Sequence, residues 1–230
     1  MNLHEKFTYF RKNRNYLLTD LAQQIKMSRN NLTAIEQGRY YPKLSSIFKF
    51  CLALNIPIDS LFSDDDAFLF FELESYINLT TEENIDNIYN FIKSIKTNEP
   101  IQIKNKESVS IKDTLNIKYK NNIDIKHIFA NRLAHYQEKS GLSQYEFTEV
   151  IDISLSFLKD MKAGRKLPSV EKFQKICKLL HVPAYCLIQG FDEALYYKNK
   201  MLYDNIRKLN REDITKIVSA LDSYNNSYYQ

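Results

Sequence analysis

The sequence predicts an all-α fold in which one unit is built twice, and three observations carry that expectation. The 230-residue chain is 44% apolar and 13% aromatic, a globular composition long enough for two small cores. It holds only four Gly and five Pro, too few for a turn-rich β architecture. The frame of residues 28–42, "SRNNLTAIEQGRYYP", returns 126 positions later as "SLSFLKDMKAGRKLP" over residues 154–168. Each copy begins with Ser, carries apolar residues at the fifth and eighth places, and ends in Gly-Arg and a closing Pro.

At this offset the alignment needs no gap from about residue 3 to residue 62. Phe7 and Phe10 match Leu133 and Tyr136, the i, i+3 face of a first helix. Leu21, Ile25 and Met27 match Phe147, Ile151 and Ile153, and Leu32 and Ile35 match Leu158 and Met161. Ile47, Cys51 and Leu54 match Phe173, Cys177 and Leu180, and Ile56-Pro57 matches Val182-Pro183. Apolar positions paired this way, in short segments broken by turns, describe a bundle of about five helices per copy. The copies are expected over residues 1–63 and 125–189.

The intervening segments follow other patterns. Residues 64–96 are expected as a helical segment. Asp64–Asp66 suit a helix N-terminal dipole. "TTEE" is a capping box with Thr80 as N-cap and Glu83 at N3. Ile85, Ile88, Tyr89 and Ile92 then form an apolar stripe. Residues 97–124 form a linker in which Ile101, Ile103, Val109, Ile111, Leu115, Ile117 and Tyr119 keep strand periodicity, so a small β-hairpin is compatible. Residues 190–224 are a second helical segment, with Asn210 as N-cap, Asp213 at N3, and a stripe of Ile214, Ile217, Val218 and Leu221. Residues 225–230 read as a disordered tail. The two stripes could pair within one chain as a pseudo-dimer, or between two chains as a homodimer.

Charge follows the repeat. Residues 1–63 hold nine Lys/Arg against four Asp/Glu, and residues 125–189 hold ten against six. Residues 64–96 reverse this, with two against eight, and 190–230 balance at six each. Two basic modules joined by acidic or neutral parts suit a polyanionic partner. Other classes find little support. The opening "MNLHEKFTYF" lacks a signal-peptide core and no apolar run could span a bilayer, so no membrane partner and a cytoplasmic location are expected. Three Cys without a C-x-x-C motif fit a reducing compartment, Cys51 and Cys177 read as small buried hydrophobes, and the four His show no metal-ligand spacing. No Gly-rich phosphate loop or nucleophile–base pair is present, so neither enzyme activity nor a cofactor is expected.

The stretch "NYLLTDLAQQIKMSRNNLTAIEQGRYYPKLSSIFKFCLALNIPIDSLF" resembles the helix-turn-helix domain of the Cro/lambda-repressor (XRE) regulators, and "GLSQYEFTEVIDISLSFLKDMKAGRKLPSVEKFQKICKLLHVPAYCLI" resembles a second one. The resemblance covers roughly half the chain. It departs from the family pattern at the start of helix two, where the usual Gln is Leu18 in copy one and Gln144 in copy two. It departs again in the turn, where Lys26 and Asp152 replace the usual Gly.

The resemblance implies two tandem lambda-repressor-like domains that bind double-stranded DNA, with each third helix in a major groove. Transcriptional regulation follows, as a repressor that occludes a promoter. In copy one, with Leu32 and Ile35 turned to the core, Arg29, Asn30, Thr33 and Ala34 face the bases. Arg can pair with guanine, Asn with adenine, and Thr or Ala can meet a thymine methyl. Ser28, Asn31, Arg39, Tyr40 and Lys43 are candidate phosphate contacts. In copy two the corresponding face is Leu155, Ser156, Lys159 and Asp160, with Ser156 and Lys159 as base candidates. Gln144, Lys162, Arg165 and Lys166 surround it as phosphate candidates. Asp160 could accept from cytosine N4 yet repels phosphates, and Leu155 and Phe157 offer apolar contact only. Copy two therefore either reads different bases or docks a protein, as an antirepressor or inhibitor would. An ordinary solvated helix is the plain alternative for either face.

Overall fold

The computed structural model describes residues 1–54, 56–63, 124–188 and 208–227, with isolated positions at 73, 89–90, 92–94, 97 and 205–206. All the regular structure among these residues is helical. Copy one folds as α1 (Leu3–Asn13), α2 (Leu18–Gln24), α3 (Arg29–Glu36), α4 (Leu44–Leu54) and α5 (Asp59–Phe62). Copy two folds as α6 (Ile125–Lys139), α7 (Gln144–Ile151), α8 (Leu155–Lys162), α9 (Val170–Leu180) and α10 (Ala184–Ile188). The ends of α3 and α8, and those of α4 and α9, coincide at the 126-residue offset. A final helix, α11 (Arg211–Ser227), follows.

Each element has a local reason. The Ser28 hydroxyl accepts from the Asn31 amide at 3.2 Å to start α3, and Ser154 does the same for Phe157 at 3.1 Å to start α8. Ser143 and Glu146 close a capping box on α7, and Asn210 caps α11 by accepting from the Asp213 amide at 2.9 Å. Gly38 and Gly164 end the third helices in the left-handed region, both at φ 69°. A side chain at Gly38 would also stand 3.0 Å from the His4 ring.

The paired apolar positions form the core. Phe7, Phe10, Leu21, Ile25, Leu32, Ile35, Ile47, Cys51 and Leu54 are buried in copy one. Leu133, Tyr136, Phe147, Ile151, Leu158, Met161, Phe173 and Leu180 are buried in copy two. Met27, Ile153, Cys177 and Val182 are half-buried against this core. Ile214, Ile217 and Val218 of the α11 stripe are buried, as is Ile92, whereas Tyr89 is exposed. Helix α11 runs through Ser227, three residues into the segment expected as tail. Asp64–Asp66, the 80–83 capping box, Ile85, Ile88 and the hairpin in 97–124 lie outside the described residues, as does the side chain of Leu221.

Both turns between helices two and three are left-handed without glycine, with φ 54° at Lys26 and 56° at Asp152. Copy two braces its turn. The Lys172 ammonium donates to the Ile151 carbonyl at 2.9 Å, the Asp152 carbonyl at 2.7 Å and the Asp152 carboxylate at 2.8 Å.

Candidate nucleic-acid interface

Helix α3 is fixed to its domain by Leu32 and Ile35, both buried, which turns the polar residues between them outward. Ser28, Arg29, Asn30 and Asn31 are exposed, and Thr33 and Ala34 are half-exposed beside them. The Thr33 hydroxyl donates to the Arg29 carbonyl at 2.9 Å, so it turns back along the helix. Arg39, Tyr40 and Lys43 are exposed on the following loop, and Arg39 donates to the neutral Gln37 side chain. At the base of the helix, Glu36 accepts from Arg11 through both oxygens, at 2.6 and 2.9 Å. Both side chains are largely buried, so this pair ties α3 to α1. Glu36 raises the Arg11 guanidinium above its usual value.

Helix α8 keeps the same placement with other chemistry. Leu158 and Met161 are buried, while Leu155, Ser156 and Lys159 are exposed. Gln144 is exposed at the start of α7. Lys162 occupies the place of Glu36 and donates to Gln137, which occupies the place of Arg11, at 2.7 Å. The inter-helix link is retained with its polarity reversed. Lys162 is thus a link within the domain as well as a cation near the face.

Asp160 accepts from Arg165 at 2.8 and 2.6 Å and from Lys166 at 2.8 Å. Lys166 and Arg165 hold its carboxyl below the usual carboxylate range. Residue-spacing rules marked Asp160 as a repulsive presence but could not show that it captures both loop cations.

A third feature lies where the copies meet. Asp59, the first residue of α5, accepts from the Ala184 amide at 2.7 Å and from the Tyr185 amide at 2.8 Å. Tyr185 lies 126 residues after Asp59 and is its counterpart in copy two. Phe62 of α5 meets Phe173 of α9 at 6.4 Å between ring centroids. Elements four and five of copy two thus receive element five of copy one. One position thus meets its own equivalent, as happens at a two-fold axis, whereas Phe62 meets the counterpart of Ile47. Burial pushes the Asp59 carboxyl up, while its amide partners pull it down. The Asp59 charge also acts on Cys51 and on its counterpart Cys177, both already raised by burial. Burial likewise pushes the Cys186 thiol up to about 12, so these thiols are packing groups rather than nucleophiles.

Two copies of a five-helix unit, each turning a capped third helix outward, define a duplicated helix-turn-helix protein. A helix-turn-helix family model matches the chain twice, over residues 9–61 and 136–185. An uncharacterized HTH-type transcriptional regulator of Methanocaldococcus jannaschii is 33% identical over 64 residues, which is 28% of this chain and 97% of the relative. The HTH-type transcriptional activator BcrR of Enterococcus faecalis is 28% identical over 95 residues, or 41% of this chain. The match to BcrR spans only 44% of that protein's length. No solved structure matches the chain. The chain belongs to the helix-turn-helix family of transcriptional regulators. Among the described residues, no helix is long and apolar enough to cross a membrane.

Proposed function

We propose that this chain is a double-stranded DNA-binding transcriptional regulator that presents two unlike reading heads to one operator. The observation that carries this reading is the outward face of α3, where Arg29, Asn30 and Asn31 stand exposed on a helix anchored by Leu32 and Ile35. Arg29 and Asn30 are the base readers, with Thr33 and Ala34 lining the same face. Ser28, Asn31, Arg39, Tyr40 and Lys43 hold the backbone. Head two offers Ser156 and Lys159 to the bases and Gln144, Lys162, Arg165 and Lys166 to phosphates.

The Asp59–Tyr185 contact supports an inverted relation between the heads, so the operator has two unlike half-sites in inverted orientation. Their centres lie about one helical turn, ~34 Å, apart. A chain covering that span occludes a promoter, and repression is the simplest outcome. Selection of binding sites from random duplex DNA by the full-length protein tests this reading. It expects a motif with two unlike halves. Recovery of only salt-sensitive background binding would refute it.

A second reading concerns head two alone. Tyr145, Val150 and Leu155 are 74%, 60% and 36% exposed on its second and third helices, an apolar display suited to docking a protein. Under this reading the selected motif is a single half-site, and replacing Arg29 removes all sequence preference.

A further inference from the structure

The two heads share their loop geometry but not its electrostatics. In head one the amides of Arg39 and Tyr40 both donate to the Ala34 carbonyl, at 2.8 and 3.1 Å. In head two the amides of Arg165 and Lys166 donate to the Asp160 carbonyl in the same way, at 2.9 and 3.3 Å. The backbone frame that displays the loop cations is thus conserved between the copies. Two side chains on that frame differ, since Ala34 and Tyr40 in head one stand where Asp160 and Lys166 stand in head two.

That carboxylate is not idle. One oxygen takes two bonds from the Arg165 guanidinium and the other takes the Lys166 ammonium. The Arg165 and Lys166 side chains remain 61% and 57% exposed, while the Asp160 side chain is only 19% exposed. Lys166 is further steadied 5.8 Å above the Phe157 ring. Both cations are therefore drawn in to the Asp160 carboxylate of α8. Among the described residues, the Arg39 side chain of head one bonds to the neutral Gln37 and to no carboxylate.

We propose that Asp160 is a specificity-determining residue, an ionic latch that withholds Arg165 and Lys166 from the phosphate backbone of DNA. This rests on the DNA-binding reading above and deepens it. The latch lowers the sequence-independent attraction of head two, because each phosphate neutralised by a free cation adds to affinity through counterion release. Exposed ion pairs are weak, so a ligand can open the latch. A base that donates an amino hydrogen to Asp160, as cytosine N4 does, repays the carboxylate and frees both cations for the backbone. A base without such a donor leaves the carboxylate facing the groove and the cations spent. Head two then engages only where its sequence fits.

The test compares full-length wild-type protein, Asp160→Ala and Asp160→Asn, titrated against a labelled random-sequence duplex and against the selected operator over a range of salt. The alanine variant carries the residue that head one already places on the same frame, and unchanged thermal unfolding checks its fold. The latch predicts that Asp160→Ala binds random duplex about 3- to 10-fold tighter near 0.1 M salt, with a log–log salt slope steeper by about one or two phosphates' worth. Operator binding should gain less, so the specificity ratio falls. Asp160→Asn should behave like the alanine variant on random duplex. Unchanged or weaker random-duplex binding by both variants, at an unchanged slope, would overturn the latch. An Arg29→Ala control separates this from failure of the underlying reading, since that variant must lose operator affinity if α3 reads DNA at all.

Discussion

Asp59 and Tyr185 are the same position in the two copies, and they touch: the Asp59 carboxylate accepts the Tyr185 amide at 2.8 Å. The same carboxylate takes the Ala184 amide at 2.7 Å, so one side chain from α5 caps the start of α10. Duplication alone would leave two heads on a string. This contact joins the two heads directly, and the proposed inverted arrangement rests on it.

Replacing Asp59 should uncouple the heads. Asp59→Asn keeps one acceptor and turns an amide donor against a donor, losing one of two charge-assisted bonds. We expect a loss of about 1–3 kcal/mol, measured by denaturant unfolding. Operator affinity should fall further than single-half-site affinity, because the two heads no longer bind as one. Equal losses on both duplexes would show that the contact does not set head geometry.

The pH dependence of that contact has a definite sign. Burial raises the Asp59 carboxyl above its ordinary 3.8, so the folded state binds this proton more tightly than the unfolded chain does. Its contribution to stability therefore grows as pH falls through the raised value toward 3.8. Asp124, Asp152 and Asp160 act the other way, since their partners lower them, and they lose stability as pH falls below 3.8. A carboxyl-carbon NMR titration should place Asp59 above 3.8 and Asp160 below it. Asp59 titrating below that value would mean that its two amide bonds outweigh burial.

On the reading face, Arg29→Ala should cost about 1–3 kcal/mol of operator binding and relax preference at one base pair. Lys43→Ala should instead weaken all duplexes alike and flatten the salt slope by about 1. Quantitative binding to operator variants separates the two. A uniform loss for Arg29→Ala would move that residue from the bases to the backbone.

The unbraced turn of head one offers a stability test. Lys26 holds φ 54° with its side chain exposed, whereas Asp152 at φ 56° is braced by Lys172. Lys26→Gly should stabilise the protein by about 0.5–1 kcal/mol, after the entropic cost of glycine. Asp152→Gly should gain less, because it gives up the Lys172 bond. Thermal unfolding checks both, and a lower melting temperature for Lys26→Gly would contradict the strain.

What was legible in the sequence was whatever depends on local pattern. The i, i+3 pairs Leu32–Ile35 and Leu158–Met161 place the third helices, and the Ser before each supplies the cap. The left-handed turns at Lys26 and Asp152 could be located because the missing glycine was visible. What was not legible lies between helices. Asp59 looks like any acid in a first helical turn, and its partners are 125 and 126 residues away. The described contact between the heads runs through α5, α9 and α10, where no stripe in the sequence marks a contact surface. The Lys162–Gln137 bond was not legible either, because nothing local to Lys162 reveals that Gln137 faces it. The reversal of the Arg11–Glu36 pair at Gln137–Lys162 is legible at the repeat offset, where both polar positions change together.

The most direct test of the central claim is the stoichiometry and orientation of operator binding. The full-length protein is titrated against duplexes carrying the two selected half-sites in inverted and in direct orientation at equal spacing, with the bound mass measured. The expected result is one chain per duplex, with the inverted arrangement bound at least about 10-fold tighter, as the proposed inverted relation between the heads requires. Two chains per duplex, or equal affinity for the direct arrangement, would contradict it.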